Sequence, residues 1–162
     1  MLILGIDPGT ATTGYGFVRE ADDGGLVAVY YGVITTKPKM PMPKRLNQIY
    51  DTLTALIARH QPDAVAIEQL FFGKNVTTGI TVAQARGVML LAGAQSGLSV
   101  REYKPKEIKL SVSGYGSADK VQMQVMIQQL LELDSIPRPD DAADALAVAI
   151  THLNSTRYER MT

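Results

Sequence analysis

The order of the apolar segments constrains the fold of this chain more than any other feature of its sequence. Three runs with strand character come first, and after them helices alternate with strands. Three consecutive strands form an antiparallel meander, whereas strand–helix–strand order adds parallel strands. The sequence therefore predicts an α/β fold: a mixed five-stranded sheet flanked by helices on both faces. The predicted strands are 2–6, 14–18, 26–35, 64–67 and 98–103, and the predicted helices are 44–61, 77–95, 105–112, 118–133 and 141–154.

The domain organisation follows from the length of 162 residues, which suits one domain. We assign residues 1–154 to that domain and expect residues 155–162 to form a frayed polar tail. Ser117 is the predicted N-cap of the fourth helix. The sequence has no run long enough to span a bilayer and opens on an apolar strand without a charged leader, so we expect a cytoplasmic protein with no membrane partner.

The composition restricts the chemistry available to a functional site. The chain has no cysteine and only two histidines, which excludes disulfides, zinc–thiolate sites and cysteine nucleophiles. A metal ion would therefore be held mainly by carboxylate oxygens, as Mg²⁺ or Mn²⁺ prefers. The formal charge of +0 neither favours nor excludes a nucleic-acid partner, because a neutral chain can still carry a charged face.

Four acidic residues stand where an α/β sheet places its functional groups. Asp7 and Glu68 each follow a predicted strand, and ligands of open α/β sheets bind beyond the carboxyl ends of strands. Asp141 and Asp144 are three residues apart at the start of a predicted helix, so they share one helix face. Four converging acids would repel one another without cations, and a pair of divalent ions suits in-line displacement at phosphorus.

Each acid also has an ordinary structural interpretation when it is taken alone. Asp7 precedes Pro8 and Gly9 and suits a turn, whereas Asp140 and Asp141 suit the first turn of a helix. Glu68 suits an exposed surface. Asp144 is harder to explain in this way, because the helix around it is nearly all apolar and a buried acid needs a partner or a metal.

Three motifs are distinctive when they are taken together: Gly5-Ile6-Asp7-Pro8-Gly9-Thr10, Gln84-Ala85-Arg86-Gly87-Val88 and the segment 141–149. They resemble the RuvC family of bacterial Holliday-junction resolvases, within the ribonuclease-H-like superfamily, and the resemblance extends from Leu2 to about His152. It implies a ribonuclease-H-like nuclease domain and an endonuclease that resolves Holliday junctions in DNA recombination and repair. The implied reaction is a pair of symmetric, metal-dependent nicks in strands of like polarity, leaving 5′-phosphate and 3′-hydroxyl ends.

The resemblance also implies the cofactor, the partners and the site residues. The family's metal-binding carboxylates match Asp7, Glu68, Asp141 and Asp144, which would hold two Mg²⁺ ions, with Mn²⁺ as a substitute. Asp140 is an extra acid beside this motif. The implied partners are four-way-junction DNA, a second copy of the chain and the branch-migration proteins RuvA and RuvB.

Candidate DNA-binding residues lie in two places. Lys104, Lys106, Lys109 and Lys120 form a basic cluster, and the resemblance matches Lys109 and Lys120 to residues near the scissile phosphate. Phe71 matches an aromatic that engages the junction centre, and neighbouring Phe72 has no such match. The alternative interpretations are a solvated lysine surface and aromatic packing in the core.

Two further alternatives remain open from the sequence. The segment 6–14 also resembles the first phosphate loop of the sugar-kinase, actin and chaperone superfamily, which implies phosphoryl transfer from ATP. A non-catalytic junction-binding module is the other candidate. The small residues of the second helix suit either packing on its own sheet or a two-fold dimer interface.

Overall fold

The sheet of the computed structural model, which describes residues 1–71 and 73–162, is mixed and five-stranded. Its spatial order is β3-β2-β1-β4-β5; β1, β2 and β3 form the antiparallel meander, and β4 and β5 run parallel to β1. This confirms the predicted mixed sheet. The strands are β1 Leu2–Asp7, β2 Thr12–Glu20, β3 Leu26–Thr35, β4 Ala64–Glu68 and β5 Ser99–Tyr103.

Helices cover both faces of the sheet because strand residues alternate between two hydrophobic clusters. Leu4 packs on the side of the first two helices, and neighbouring Ile3 packs on the side of the last three. Within 1–71 and 73–162, none of the helices combines the length and hydrophobicity needed to cross a membrane. The helices are α1 Met42–His60, α2 Val76–Gln95, α3 Pro105–Ser113, α4 Lys120–Leu130 and α5 Asp140–Met161.

Helix α5 lies unusually close to the strands beneath it. A Cβ atom added at Gly5 would stand 2.1 Å from the carbonyl oxygen of Ala145, and one at Gly14 would stand 1.9 Å from that of Asp141. Only glycine leaves room for this approach of backbone to backbone. The contact brings the first turn of α5 directly over the ends of β1 and β2.

Predictions at the ends of two helices, α5 and α4, are wrong. The segment predicted as a frayed tail, 155–162, is helical as far as Met161, because Arg157 reaches Glu20 on β2 with an Nε–Oε1 distance of 2.6 Å. The N-cap of α4 is Asp119 and not Ser117. The Asp119 carboxylate accepts the backbone N–H of Gln122, and the Gln122 side chain accepts the N–H of Asp119, so the pair forms a capping box.

Candidate active site

Asp7 and Glu68 lie side by side at one edge of the sheet. Asp7 is the last residue of β1 and Glu68 is the last residue of β4, and these strands are parallel neighbours. Parallel neighbours end at the same edge, so both carboxylates project beyond it.

Asp141 and Asp144 come to the same place from the first turns of α5. Oxygens of Asp7, Asp141 and Asp144 lie within 4.8 Å of one another. Glu68 adjoins this group through a side-chain hydrogen bond with Asp7. The structure therefore brings together the four acids that the sequence singled out, and the close approach of α5 to β1 is the reason that short aspartate side chains suffice.

The acids strongly perturb one another's ionisation. Burial, followed by the charges of Asp144, Glu68 and Asp141, raises the pKa of Asp7 to about 9. Burial also raises the pKa of Glu68 and of Asp144, against the opposing influence of nearby lysines. A cluster that resists full ionisation in this way is one that a divalent cation would stabilise.

The donor set fits Mg²⁺ or Mn²⁺. All the clustered side chains offer hard carboxylate oxygens, and their summed negative charge calls for positive compensation. Such acids at the mouth of a cavity are suited to holding cations against a phosphate group.

A cavity of about 360 Å³ opens beside the acids. Its lining includes the acids Glu68 and Asp144 and the lysines Lys109 and Lys120. The positive charge of nearby Lys109 acts to lower the pKa of Glu68. An anionic ligand in this cavity would have carboxylates and ammonium groups within reach.

Asp140 is not one of the clustered acids, and its carboxylate contacts basic side chains. One of its oxygens lies 2.6 Å from Lys120 Nζ and the other 2.6 Å from Arg138 Nη1. These hydrogen bonds lower the pKa of Asp140, with Lys120 the larger influence. Lys104 and Lys106 are exposed at the start of α3, outside the cavity that Lys109 and Lys120 line.

Phe71 is exposed beside the acids. It lines a second cleft, of about 240 Å³, together with Asp7 and Glu68, and 60% of its surface is accessible. The core-packing alternative is therefore wrong for Phe71. Phe72 lies outside the described residues.

Two residues near the site were given no role by the sequence. His152 is buried on α5, and its Nδ1 is 2.9 Å from the Tyr103 hydroxyl. Arg86 on α2 donates from Nε to the backbone carbonyl of Glu68 at 3.1 Å. Arg86 is the only charged residue in α2, and a lone charge in such a helix is the signal that would have singled it out.

Comparison with known proteins identifies the family. The family model described as "Crossover junction endodeoxyribonuclease RuvC" matches residues 3–152. The curated RuvC of Chloroflexus aggregans is 60% identical over 152 residues, covering 94% of this chain and 92% of the relative. That of Syntrophomonas wolfei is 55% identical over 157 residues, covering 97% and 91%.

Solved structures agree with the sequence comparison. The Thermus thermophilus RuvC structure superimposes with a TM-score of 0.92 at 33% identity, covering 98% of this chain and 97% of that one. The same protein in complex with a Holliday-junction substrate gives a TM-score of 0.89 at 30% identity, covering 98% and 96%. The yeast mitochondrial Holliday-junction resolvase Ydc2, at 15% identity and a TM-score of 0.70, shares the fold. The chain belongs to the RuvC family of crossover junction endodeoxyribonucleases.

Proposed function

We propose that this family member resolves four-way DNA junctions by hydrolysis at the acidic cluster. In this proposal Asp7, Glu68, Asp141 and Asp144 hold two Mg²⁺ ions, and Mn²⁺ can substitute. The observation that carries the proposal is the convergence of acids from β1, β4 and α5 at one edge of the sheet, with the pKa values of three of them raised. A cation bound among these acids would compensate the negative charge that they carry when ionised.

The reaction we propose is an in-line displacement at phosphorus. Bound divalent ions supply Lewis-acid activation of water and neutralise charge on the phosphate. The water oxygen forms a bond to phosphorus while the bond to the 3′ oxygen breaks. The water loses a proton and the leaving oxygen gains one, so the products are a 5′-phosphate and a 3′-hydroxyl.

The lysines orient the DNA strand in this scheme. Lys109 and Lys120 line the same cavity as Glu68 and Asp144, where their charges would contact the phosphate and offset charge that develops during displacement. Lys120 is paired with Asp140, so binding DNA requires it to exchange that carboxylate for a phosphate or to share both. Lys104 and Lys106 would contact phosphates farther along the strand, which positions the duplex and makes binding sensitive to salt.

Phe71 is proposed to stack on a base at the junction centre. Its ring is exposed in the cleft that it shares with two of the acids. Bases at a four-way junction are more easily unstacked than bases within a continuous duplex, and an exposed aromatic ring offers them a partner.

A two-fold dimer is proposed to present two such sites. The outward face of α2 carries Val76, Ile80 and Leu91, each about half exposed, with open space above Gly87. This apolar face suits contact with a second copy, and two-fold symmetry would place equivalent cuts in strands of like polarity. Within the same proposal, the dimer acts on chromosomal DNA in the cytoplasm together with RuvA and RuvB.

The other functions suggested by the sequence have less support. The nuclease-family match over residues 3–152 disfavours the ATP-dependent phosphoryl-transfer alternative. A binding module that does not cut DNA would gain nothing from holding several acids with raised pKa values.

Incubation with a labelled four-way junction and a linear duplex of the same sequence tests the proposal. Reactions would contain Mg²⁺, Mn²⁺ or a chelator, with Asp7→Asn as the paired variant. We expect symmetric nicks in the junction alone, with either metal, and bound but uncut junction with Asp7→Asn. Binding without cutting under every condition would support the non-catalytic module instead, and cutting by Asp7→Asn at the parent rate would refute the ligand assignment.

A further inference from the structure

The side chain of Arg86 connects α2 to the end of β4 that carries Glu68. Its Nε donates a hydrogen bond to the Glu68 carbonyl oxygen at 3.1 Å. Its Nη2 lies 2.7 Å from Oε1 of Glu102 on β5. The two groups form an ion pair, but their orientation does not meet the geometry of a hydrogen bond. The arginine side chain is only 14% exposed, and a guanidinium suits such a place because it is more weakly hydrated than an ammonium group.

The Glu68 carbonyl needs this donor because β1 cannot supply one. The N–H of Gln69 donates to the Tyr103 carbonyl of β5 at 2.8 Å. In a trans peptide the preceding carbonyl points the opposite way, which here is toward β1. Continuing the β1–β4 register beyond the pair Ile6 and Ile67 places Pro8 at the next donor position. Proline has no N–H, so the parallel ladder stops there.

The peptide group between Glu68 and Gln69 is therefore held from both sides. Tyr103 accepts its N–H, and Arg86 donates to its carbonyl oxygen. The ψ angle of Glu68 sets the direction of that carbonyl relative to the Cα atom. Holding the carbonyl in place therefore restrains the backbone from which the Glu68 carboxylate projects. Without Arg86, a partly buried carbonyl would lose its partner and the peptide would be held on one side only, through the Gln69 N–H.

We propose that Arg86 is a positioning residue that sets the orientation of Glu68 as a metal ligand. The proposal rests on the metal-ligand assignment made above. Arg86 acts through the backbone of Glu68: among the described residues, the contacts of its guanidinium are the Glu68 carbonyl oxygen and the Glu102 carboxylate. Outer groups of this kind typically change metal affinity or activity by about 10- to 100-fold when they are removed.

A purely structural role for Arg86 makes a different prediction. An arginine that only fastened α2 to the sheet would affect melting and leave the metal dependence of the folded protein unchanged. A positioning role shifts the metal dependence at temperatures where the variant is fully folded. The test must therefore measure metal binding itself as well as cutting.

The variants Arg86→Gln and Arg86→Lys test the proposal, with Arg101→Gln as the matched control. Arg101 lies on β5 and forms an exposed ion pair with Glu159 at 2.7 Å, so its substitution makes the same change of charge away from the acids. For each protein we would measure Mn²⁺ binding by titration calorimetry without DNA, junction affinity in chelator, and single-turnover cutting against Mg²⁺ concentration.

We expect Arg86→Gln to weaken Mn²⁺ binding and raise the half-saturating Mg²⁺ concentration by about 10-fold, with junction affinity within twofold of the parent. Arg86→Lys retains one donor and should recover part of the loss. The proposal would be overturned if Arg86→Gln had the same metal dependence as Arg101→Gln. It would also be overturned if Arg86→Gln lost as much junction affinity as cutting activity. Should Arg86→Gln not fold, Arg86→Lys is compared with Arg101→Lys by the same criteria.

Asp7→Asn separates failure of this inference from failure of the ligand assignment. If Asp7→Asn binds Mn²⁺ as the parent does, the assignment of the metal site is wrong. If Asp7→Asn loses Mn²⁺ binding and Arg86→Gln keeps it, the site stands and only the role of Arg86 is refuted.

Discussion

Replacing Asp7 by asparagine should stabilise the metal-free protein while abolishing its cutting activity. The ordinary pKa of this carboxyl is 3.8, and burial among the other acids raises it to about 9. Between these values the folded state binds a proton that the unfolded chain has released. The contribution of Asp7 to stability therefore decreases as pH rises from about 4 to about 9.

The size of the effect follows from the same two values. At pH 7 the solution is about three pH units above the ordinary pKa of the carboxyl, and each unit corresponds to about 1.4 kcal/mol. Burying Asp7 therefore lowers the free energy of unfolding at pH 7 by at most about 4 kcal/mol. Asparagine keeps the shape of protonated aspartate and a donor toward Glu68. We expect a gain of about 2–4 kcal/mol, or ~5–10 °C in melting temperature for a chain of this length.

Thermal melting in chelator at pH 4, 7 and 8.5 would test this expectation. The gain should be near zero at pH 4 and largest at pH 8.5, and Mg²⁺ should stabilise the parent more than Asp7→Asn. Asp22→Asn, an exposed acid in the turn between β2 and β3, is the matched control and should change little at any pH. A melting temperature for Asp7→Asn at or below the parent value at pH 8.5 would contradict a raised pKa at Asp7.

Three more predictions concern the DNA contact, the packing of α5 and the buried histidine. Phe71→Ala should reduce junction cutting by about 10-fold, the value of one lost stacking contact, without changing urea stability; an unchanged cutting rate would contradict the stacking role. Gly5→Ala should destabilise the fold by about 3 kcal/mol in urea, because its Cβ would meet the Ala145 carbonyl at 2.1 Å; parent-like stability would contradict the close contact. Burial lowers the pKa of His152 below 6.5, so as pH decreases the unfolded chain takes up the proton before the folded chain does, and stability should fall as pH decreases through 6.5. His152→Gln should flatten this part of the profile of urea stability against pH, and an unaltered slope would contradict the role of His152.

The sequence predicted those parts of the molecule that depend on local pattern. Strand and helix order followed from hydrophobic periodicity, and the edge position of Asp7 and Glu68 followed from strand ends. The pairing of Asp141 and Asp144 followed from helical spacing. That these acids meet at one point is a tertiary property, and the motif resemblance suggested it before the structure did.

The N-cap of α4 is a local feature that was predicted wrongly, because Gln122 stands three residues after Asp119 and completes a capping box, whereas Ser117 has no such partner. The other parts that the sequence did not predict depend on contacts between distant residues. The helical end of α5 is stabilised by Glu20, which is 137 residues from its partner Arg157. The link from Arg86 to Glu68 depends on a missing donor at Pro8, which becomes visible only when the strand register is known.

The close approach of α5 to the glycines of the sheet has a consequence for the substrate-free enzyme. The backbone beneath Asp7 and Asp144 belongs to a tightly packed layer, where Gly5 of β1 and Ala145 of α5 are in contact. Amide hydrogens in such a layer exchange with solvent mainly through unfolding of the whole domain. The backbone that carries these acids is therefore in place before DNA binds, which is the preorganisation that electrostatic stabilisation of a reaction requires.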